Sequence, residues 1–228
     1  MKTIIIIGAG RGLGMSVDKH FGKEGFQVAL VARNPEKLQS MVEELKELDI
    51  ESSYYVADIY KKDQVDEALT GIKAKYEKID VLEFSPMTWD YPPTSVLELA
   101  AENVRYHFEG QVISVINIVN NVVPDMIEYG EGALLFTTGI SAFYPYPPLA
   151  NIGIAMSGLR NYLLNLYTAL SPKGILVAHR SLGVQITAGT GKENDPDVIA
   201  DMWYRAYSEK LGGEEVYPKE FTLAALGI

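Results

Sequence analysis

The clearest chemistry lies near the N-terminus, in Gly8-Ala9-Gly10-Arg11-Gly12-Leu13-Gly14, directly after the run Ile4–Ile7. Glycine permits a tight turn and lets backbone N–H groups approach a ligand closely. A helix starting there offers unpaired donors and a positive dipole end, the requirements for holding a pyrophosphate. Arg33 closes the next strand candidate, and Ala32 stands where an NAD site needs an acid for the ribose hydroxyls. Arg11 brings a second guanidinium to the same corner. Two planar forks and no carboxylate suit a 2′-phosphate, so the expected cofactor is NADP(H) in preference to NAD(H). The alternative is that both arginines are solvated, as most are.

The elements that must position these residues can be read from hydrophobic patterning. Ile4–Ile7 is a continuous β-branched run, as expected of a strand buried on both faces of a parallel sheet. Further strands are expected at 27–32, 52–56, 81–84, 133–137, 175–182 and 215–217. Helices fit between them at 12–24, 35–48, 62–76, 95–123 (as two pieces), 151–170 and 196–209. Strand–helix alternation predicts an α/β chain: a single-domain Rossmann fold over residues 1–228, with a doubly wound parallel sheet of about seven strands flanked by helices. Two proline-rich stretches, 86–93 and 145–148, follow strand ends, where such a sheet places its ligand crevice.

Composition narrows the function classes. A formal net charge of −10 opposes a nucleic-acid partner or an anionic membrane, both of which reward basic clusters. With no cysteine there is no disulfide frame, thiol nucleophile or thiolate metal site, and no metal centre is expected. Met1–Gly10 does not read as a signal peptide, and no apolar run has the length to span a bilayer. A cytoplasmic protein with a small-molecule ligand is the expectation.

Together the markers resemble the short-chain dehydrogenase/reductase family along most of the chain. Gly8-x-x-x-Gly12-x-Gly14 resembles its glycine motif, and Ala57-Asp58 its adenine-contacting acid. Pro124-Asp125-Met126 and Pro172-Lys173-Gly174-Ile175 fall where the family has its approaches to the fifth and sixth strands. Gly183-x-x-x-Thr187 resembles the motif whose threonine contacts the nicotinamide carboxamide, and Phe84-Ser85-Pro86-Met87 stands in the place of Asn-Asn-Ala-Gly. The resemblance implies a cofactor set of Gly8, Gly10, Arg11, Gly12, Leu13, Gly14, Arg33, Asp58, Ser85 and Thr187. It also implies a homodimer or homotetramer built through two helices. Those helices carry the stripes Val112, Val115, Ile116, Ile118, Val119, Val122, Val123 and Leu159, Leu163, Leu166, Leu170.

The same resemblance implies a serine, a tyrosine with lysine four residues on, and a helix asparagine as the catalytic set. Here those places fall on Gly139, Ile152, Met156 and His107, and no lysine occurs between Lys78 and Lys173. Isoleucine cannot donate a proton, and methionine carries no charge to grip a ribose. His107 could titrate near neutrality, though a packed histidine is the commoner case. Tyr144 and Tyr146 flank Pro145 in a stiff aromatic loop, with Trp89-Asp90-Tyr91 across from it and Asp90 read as a solvated carboxylate. Together they suggest an apolar, aromatic cavity. Two readings follow. One is an NADP(H)-dependent oxidoreductase with a nonstandard site, using His107, Tyr144 or Tyr146 on an apolar or aromatic carbonyl or alcohol. The other is a catalytically inactive dinucleotide- or ligand-binding sensor or scaffold.

Overall fold

Strand β1 (Lys2–Ile7) lies inside a seven-stranded sheet, its four isoleucines without solvent contact on either face. The structure is a computed structural model and describes residues 1–87, 90–222 and 224. The other strands are β2 (Phe26–Ala32), β3 (Ser52–Val56), β4 (Val81–Phe84), β5 (Gly132–Gly139), β6 (Ile175–Leu182) and β7 (Gly213–Tyr217). Every pairing is parallel, in the order β3-β2-β1-β4-β5-β6-β7. The chain therefore winds outward from β1 in one direction, then restarts at β4 on the other side. The β1/β4 boundary is the switch point at which ligands of open α/β sheets bind.

Alternation along the strands makes two cores. Ile4, Ile6 and Val81 face α1 (Leu13–Lys23), α2 (Pro35–Glu47) and α7 (Pro196–Ser208). Ile5, Ile7 and Phe84 face α3 (Lys62–Tyr76), α5 (Ser114–Tyr129) and α6 (Ala150–Leu170). Each fully buried Ile, Leu or Phe contributes roughly 1.5–3 kcal/mol, so both layers hold the strand ends that carry the site. Asn34 caps α2 by accepting the Lys37 N–H at 2.8 Å, with Pro35 at the first helical position.

One expectation needs correction. The segment expected as two helices from residue 95 instead starts at Ala101 and runs unbroken to Tyr129. It comprises α4 (Ala101–Phe108), a π-helical turn (Glu109–Ile113) and α5. A side chain at Gly110 would fall 2.3 Å from the Tyr60 hydroxyl, so glycine lets this turn press against the segment after β3. Most of the Val112–Val123 and Leu159–Leu170 stripes are buried against the sheet of their own chain, leaving Ile116 and Leu166 only partly covered. Among the described residues no helix is long and apolar enough to cross a membrane.

Candidate functional site

A cleft of about 580 Å³ opens at the C-terminal ends of β1, β2 and β4. Its floor is the whole loop Gly8–Gly14, and Arg33, Lys37, Asp58, Ser85, Met87 and Ile186 stand around it. A second cavity, of about 510 Å³ and lined by Lys2, Asp80, Tyr167 and Lys210, lies at the opposite ends of the strands. That is the wrong edge for ligands of this sheet type, so the chemistry is sought in the first.

The glycines differ in what they do. Gly8 has φ of +93°, and a Cβ there would sit 2.6 Å from Pro86 Cα, so both conformation and space exclude a side chain. The N–H groups of Gly8 and Ala9 both donate to Val31 O, tying the turn to β2. Gly14 brings α1 close to Ala9, where a Cβ would stand 3.3 Å from Cα. Gly12 is the reverse case: nothing lies within 4 Å of the position its Cβ would take. It forms the start of α1, which has no side-chain cap and no acid in its first turn. Free space in front of an uncapped helix start is a cradle for an anion.

Cations surround that cradle with different commitments. Arg11 bonds across to Glu44 at 3.0 Å and to Ser40 on α2. Arg33 donates to Asp90 Oδ2 at 3.0 Å, and the Tyr106 hydroxyl donates to the same oxygen at 2.6 Å. The Tyr106 hydroxyl first, and then Arg33, hold the Asp90 carboxyl below its usual range, and Asp90 in turn raises Arg33. Asp90 is thus exposed but paired, 57 residues from its partner, rather than simply solvated. Lys37, absent from the sequence-based set, lines the cleft with no ion-pair partner among the described residues. Asp58 accepts the Tyr60 N–H at 3.1 Å.

Ser85 lines the cleft and donates its hydroxyl to Glu83 Oε2 at 3.0 Å. Glu83 is wholly buried in β4, and burial lifts its carboxyl to about 8. Asp18 of α1, also wholly buried, is raised well above its ordinary value, by burial first and then by the Glu83 charge. Sequence signals for both were present: a carboxylate inside an apolar strand, and another on the apolar stripe of a helix.

Three of the four places that the resemblance points to as catalytic, Gly139, Ile152 and Met156, carry no titratable side chain. Ile152 and Met156 are buried on α6 with Ala142, and Met156 Sδ accepts the Gly139 N–H at 3.2 Å. Ser141, also unremarked in the sequence, is buried there and directs its hydroxyl to the Met156 sulfur at 3.9 Å. His107 is buried in α4, and its Nε2 donates to the Tyr91 carbonyl at 3.1 Å. Burial lowers its pKa, so the ring is neutral at pH 7. Tyr144 stacks on Phe221, with centroids 5.7 Å apart, and neither Tyr144 nor Tyr146 lines the glycine-loop cleft. Thr187 is exposed and gives its hydroxyl to Gln185 O at 3.2 Å, while neighbouring Ile186 reaches the cleft. Trp89 lies outside the described residues. Beneath Gly139, Thr138 Oγ1 stands 2.8 Å from Nε2 of buried His179, whose Nδ1 is 3.4 Å from Glu214. Burial takes His179 down to about 4, and it lines neither of the two cavities above.

A parallel sheet with a glycine-rich turn opening at its switch point is the frame of a Rossmann-type oxidoreductase. Residues 2–197 match the short chain dehydrogenase family, and the chain belongs to it. It is 27% identical over 216 residues to a 3-oxoacyl-(acyl-carrier-protein) reductase of Staphylococcus epidermidis, covering 94% of this chain and 86% of that one. A sulfoacetaldehyde reductase of Chromohalobacter salexigens is 24% identical over 225 residues, 98% of this chain and 88% of the other. Among solved structures, a short-chain dehydrogenase from Rhodopseudomonas palustris shares the fold with a TM-score of 0.83 at 24% identity, covering 94% and 97% of the two chains. An L-sorbose reductase from Gluconobacter frateurii, complexed with NADPH and L-sorbose, has a TM-score of 0.81 at 21% identity, with 95% and 94% covered.

Proposed function

We propose that this chain is an NADP(H)-dependent oxidoreductase of a small apolar or aromatic carbonyl or alcohol, with a proton donor that is not the family's tyrosine. The observation that carries the cofactor half is the cleft itself. Its loop excludes side chains at Gly8, leaves open space at Gly12 and has three cations, Arg11, Arg33 and Lys37, within reach of one anionic group. These residues fit a dinucleotide. The N–H groups from Gly10 to Gly14, with Leu13 anchoring the turn in the core, would hold the pyrophosphate. Arg33, Arg11 and Lys37 would hold a 2′-phosphate, and Asp58, Ser85 and Thr187 would contact the adenine, ribose and carboxamide ends. When bound, the dinucleotide supplies or accepts a hydride.

The rest is left to the chain. Gly139, Ile152 and Met156 have no proton to give, and the His107 Nε2–H is engaged by Tyr91. The hydroxyls of Ser141, Tyr144 and Tyr146 are the better candidates for meeting a developing alkoxide. The partly covered faces of α5 and α6 would join copies into a homodimer or homotetramer. The test is NADPH oxidation against a panel of ketones and aldehydes. Turnover lost in one of Ser141→Ala, Tyr144→Phe and Tyr146→Phe, and kept in His107→Gln, supports the reading. Tight NADPH binding without turnover on any carbonyl favours the inactive sensor or scaffold.

A further inference from the structure

We propose that Asp18 and Glu83 work as one buried, proton-holding pair that positions both walls of the dinucleotide cleft, so that dinucleotide affinity falls when the pair loses its proton. The proposal rests on the cofactor reading above.

Both carboxyls are completely inaccessible, and both lie on the α1/α7 side of the sheet. Neither oxygen of Asp18 has a hydrogen-bond partner among the described residues. Among the described residues Glu83 receives the hydroxyls of Ser85 at 3.0 Å and Thr137 at 3.4 Å, and Thr137 in turn accepts Trp203 Nε1 at 3.2 Å. Among the described residues no cation offsets the pair. The core on this side of the sheet is apolar, with Ile4 and Ile6 from β1, Leu38 and Met41 from α2 and Trp203 from α7. Asp197 at the start of α7 is occupied by Ser16. Arg180 of β6 directs its guanidinium to the carbonyls of His179, Leu211 and Gly213 and to Glu215. Two carboxylates in such surroundings cannot both ionise cheaply, so at least one holds its proton through neutrality.

The pair bridges the cleft. Asp18 lies in the second turn of the helix that begins at the glycine loop. Glu83 carries Ser85 and is followed by Pro86, the residue against which Gly8 is packed. Charging Glu83 beside Asp18 drives α1 away from β4 or draws water between them. Either movement displaces the glycine loop relative to Ser85 and Pro86.

The experiment is NADPH titration calorimetry at pH 7 and pH 9 for the wild type, Glu83→Gln and Asp18→Asn. With Glu83 ionising near 8, an affinity limited to the protonated form falls about tenfold by pH 9. Glu83→Gln keeps a neutral group of the same shape and should bind equally at both pH values. Asp18→Asn should lessen the fall, and it serves as the test should Glu83→Gln not fold. Parallel falls in wild type and variants overturn the proposal. The infrared band of a protonated carboxyl in the free protein separates this from the cofactor reading. A band present at pH 7, weakened by pH 9 and weaker in Glu83→Gln at pH 7 supports the pair even if no dinucleotide binds. Its absence at pH 7 overturns the pair whatever the titration gives.

Discussion

The sulfur of Met156 lies 3.2 Å from the backbone nitrogen of Gly139 and accepts its N–H. By resemblance to the family these two positions would carry a lysine and a serine, yet here they close on each other inside an apolar cluster with Ile152 and Ala142. Gly139 has φ of −81°, and an added Cβ would meet Met156 Sδ at 3.5 Å, an ordinary contact. Gly139→Ser should therefore cost about 1 kcal/mol or less. Met156→Lys places an ammonium where nothing compensates it and should cost about 3 kcal/mol or more. Urea unfolding of both variants checks the contrast. Equal, small losses would mean the site can still take the family's lysine.

The glycine loop separates folding from binding. Gly8→Ala combines a left-handed backbone with a clash against Pro86 and should lose roughly 2–4 kcal/mol of stability. Gly12→Ala adds a methyl to empty space, so its unfolding midpoint should hardly move. NADPH affinity should still drop at least tenfold, since that space is the cradle. Calorimetry beside urea unfolding reads both effects.

How much of this was legible in the sequence depends on distance along the chain. The buried strand Ile4–Ile7, the glycine loop and the strand–helix alternation follow from local pattern, because period and turn chemistry are local properties. Arg33 was legible as a cation at the end of β2, but its pairing with Asp90 was not, since 57 residues separate them and only the fold closes that gap. Lys37 carries no local mark of a site, because nothing local says that the N-terminal turn of α2 faces the cleft. The unbroken helix across Glu109–Ile113 was hidden because a π turn leaves no mark in hydrophobic spacing.

That Arg33–Asp90 contact also sets an expectation for cofactor choice. A charge-assisted phosphate contact is worth about 1.5–3 kcal/mol, so Arg33→Ala should weaken NADPH roughly 10- to 100-fold and leave NADH nearly unchanged. Both members of the existing pair are half exposed, so it competes only weakly. Asp90→Asn should tighten NADPH by no more than about fivefold, an effect of the size of one exposed ion pair. An Arg33→Ala variant that weakens both cofactors equally would remove the 2′-phosphate from this corner.

Stability should carry two opposed pH dependences. Glu83 ionises near 4.5 in the unfolded chain and near 8 in the folded one. The folded state therefore holds the extra proton between those values, and stability falls as pH rises through that window. His179 goes the other way, from 6.5 unfolded to about 4 folded, and costs stability as pH falls between them. The two offset each other from about 4.5 to 6.5, leaving a net loss of about 1.4 kcal/mol per pH unit from 6.5 to 8. Asp18, shifted in the same direction as Glu83, adds to that loss. Glu83→Gln should remove about 1.4 kcal/mol per unit of the slope, as measured by urea unfolding at several pH values. An unchanged slope would mean that Glu83 is already ionised.

The most direct test is a calorimetric titration of the wild-type protein with NADPH and, separately, NADH at pH 7. Binding of NADPH at micromolar concentration, with NADH at least tenfold weaker, is the expected result for a glycine-loop cleft flanked by Arg11, Arg33 and Lys37. No heat from either, in a protein shown to be folded, would contradict it and leave a sheet of this family put to another use.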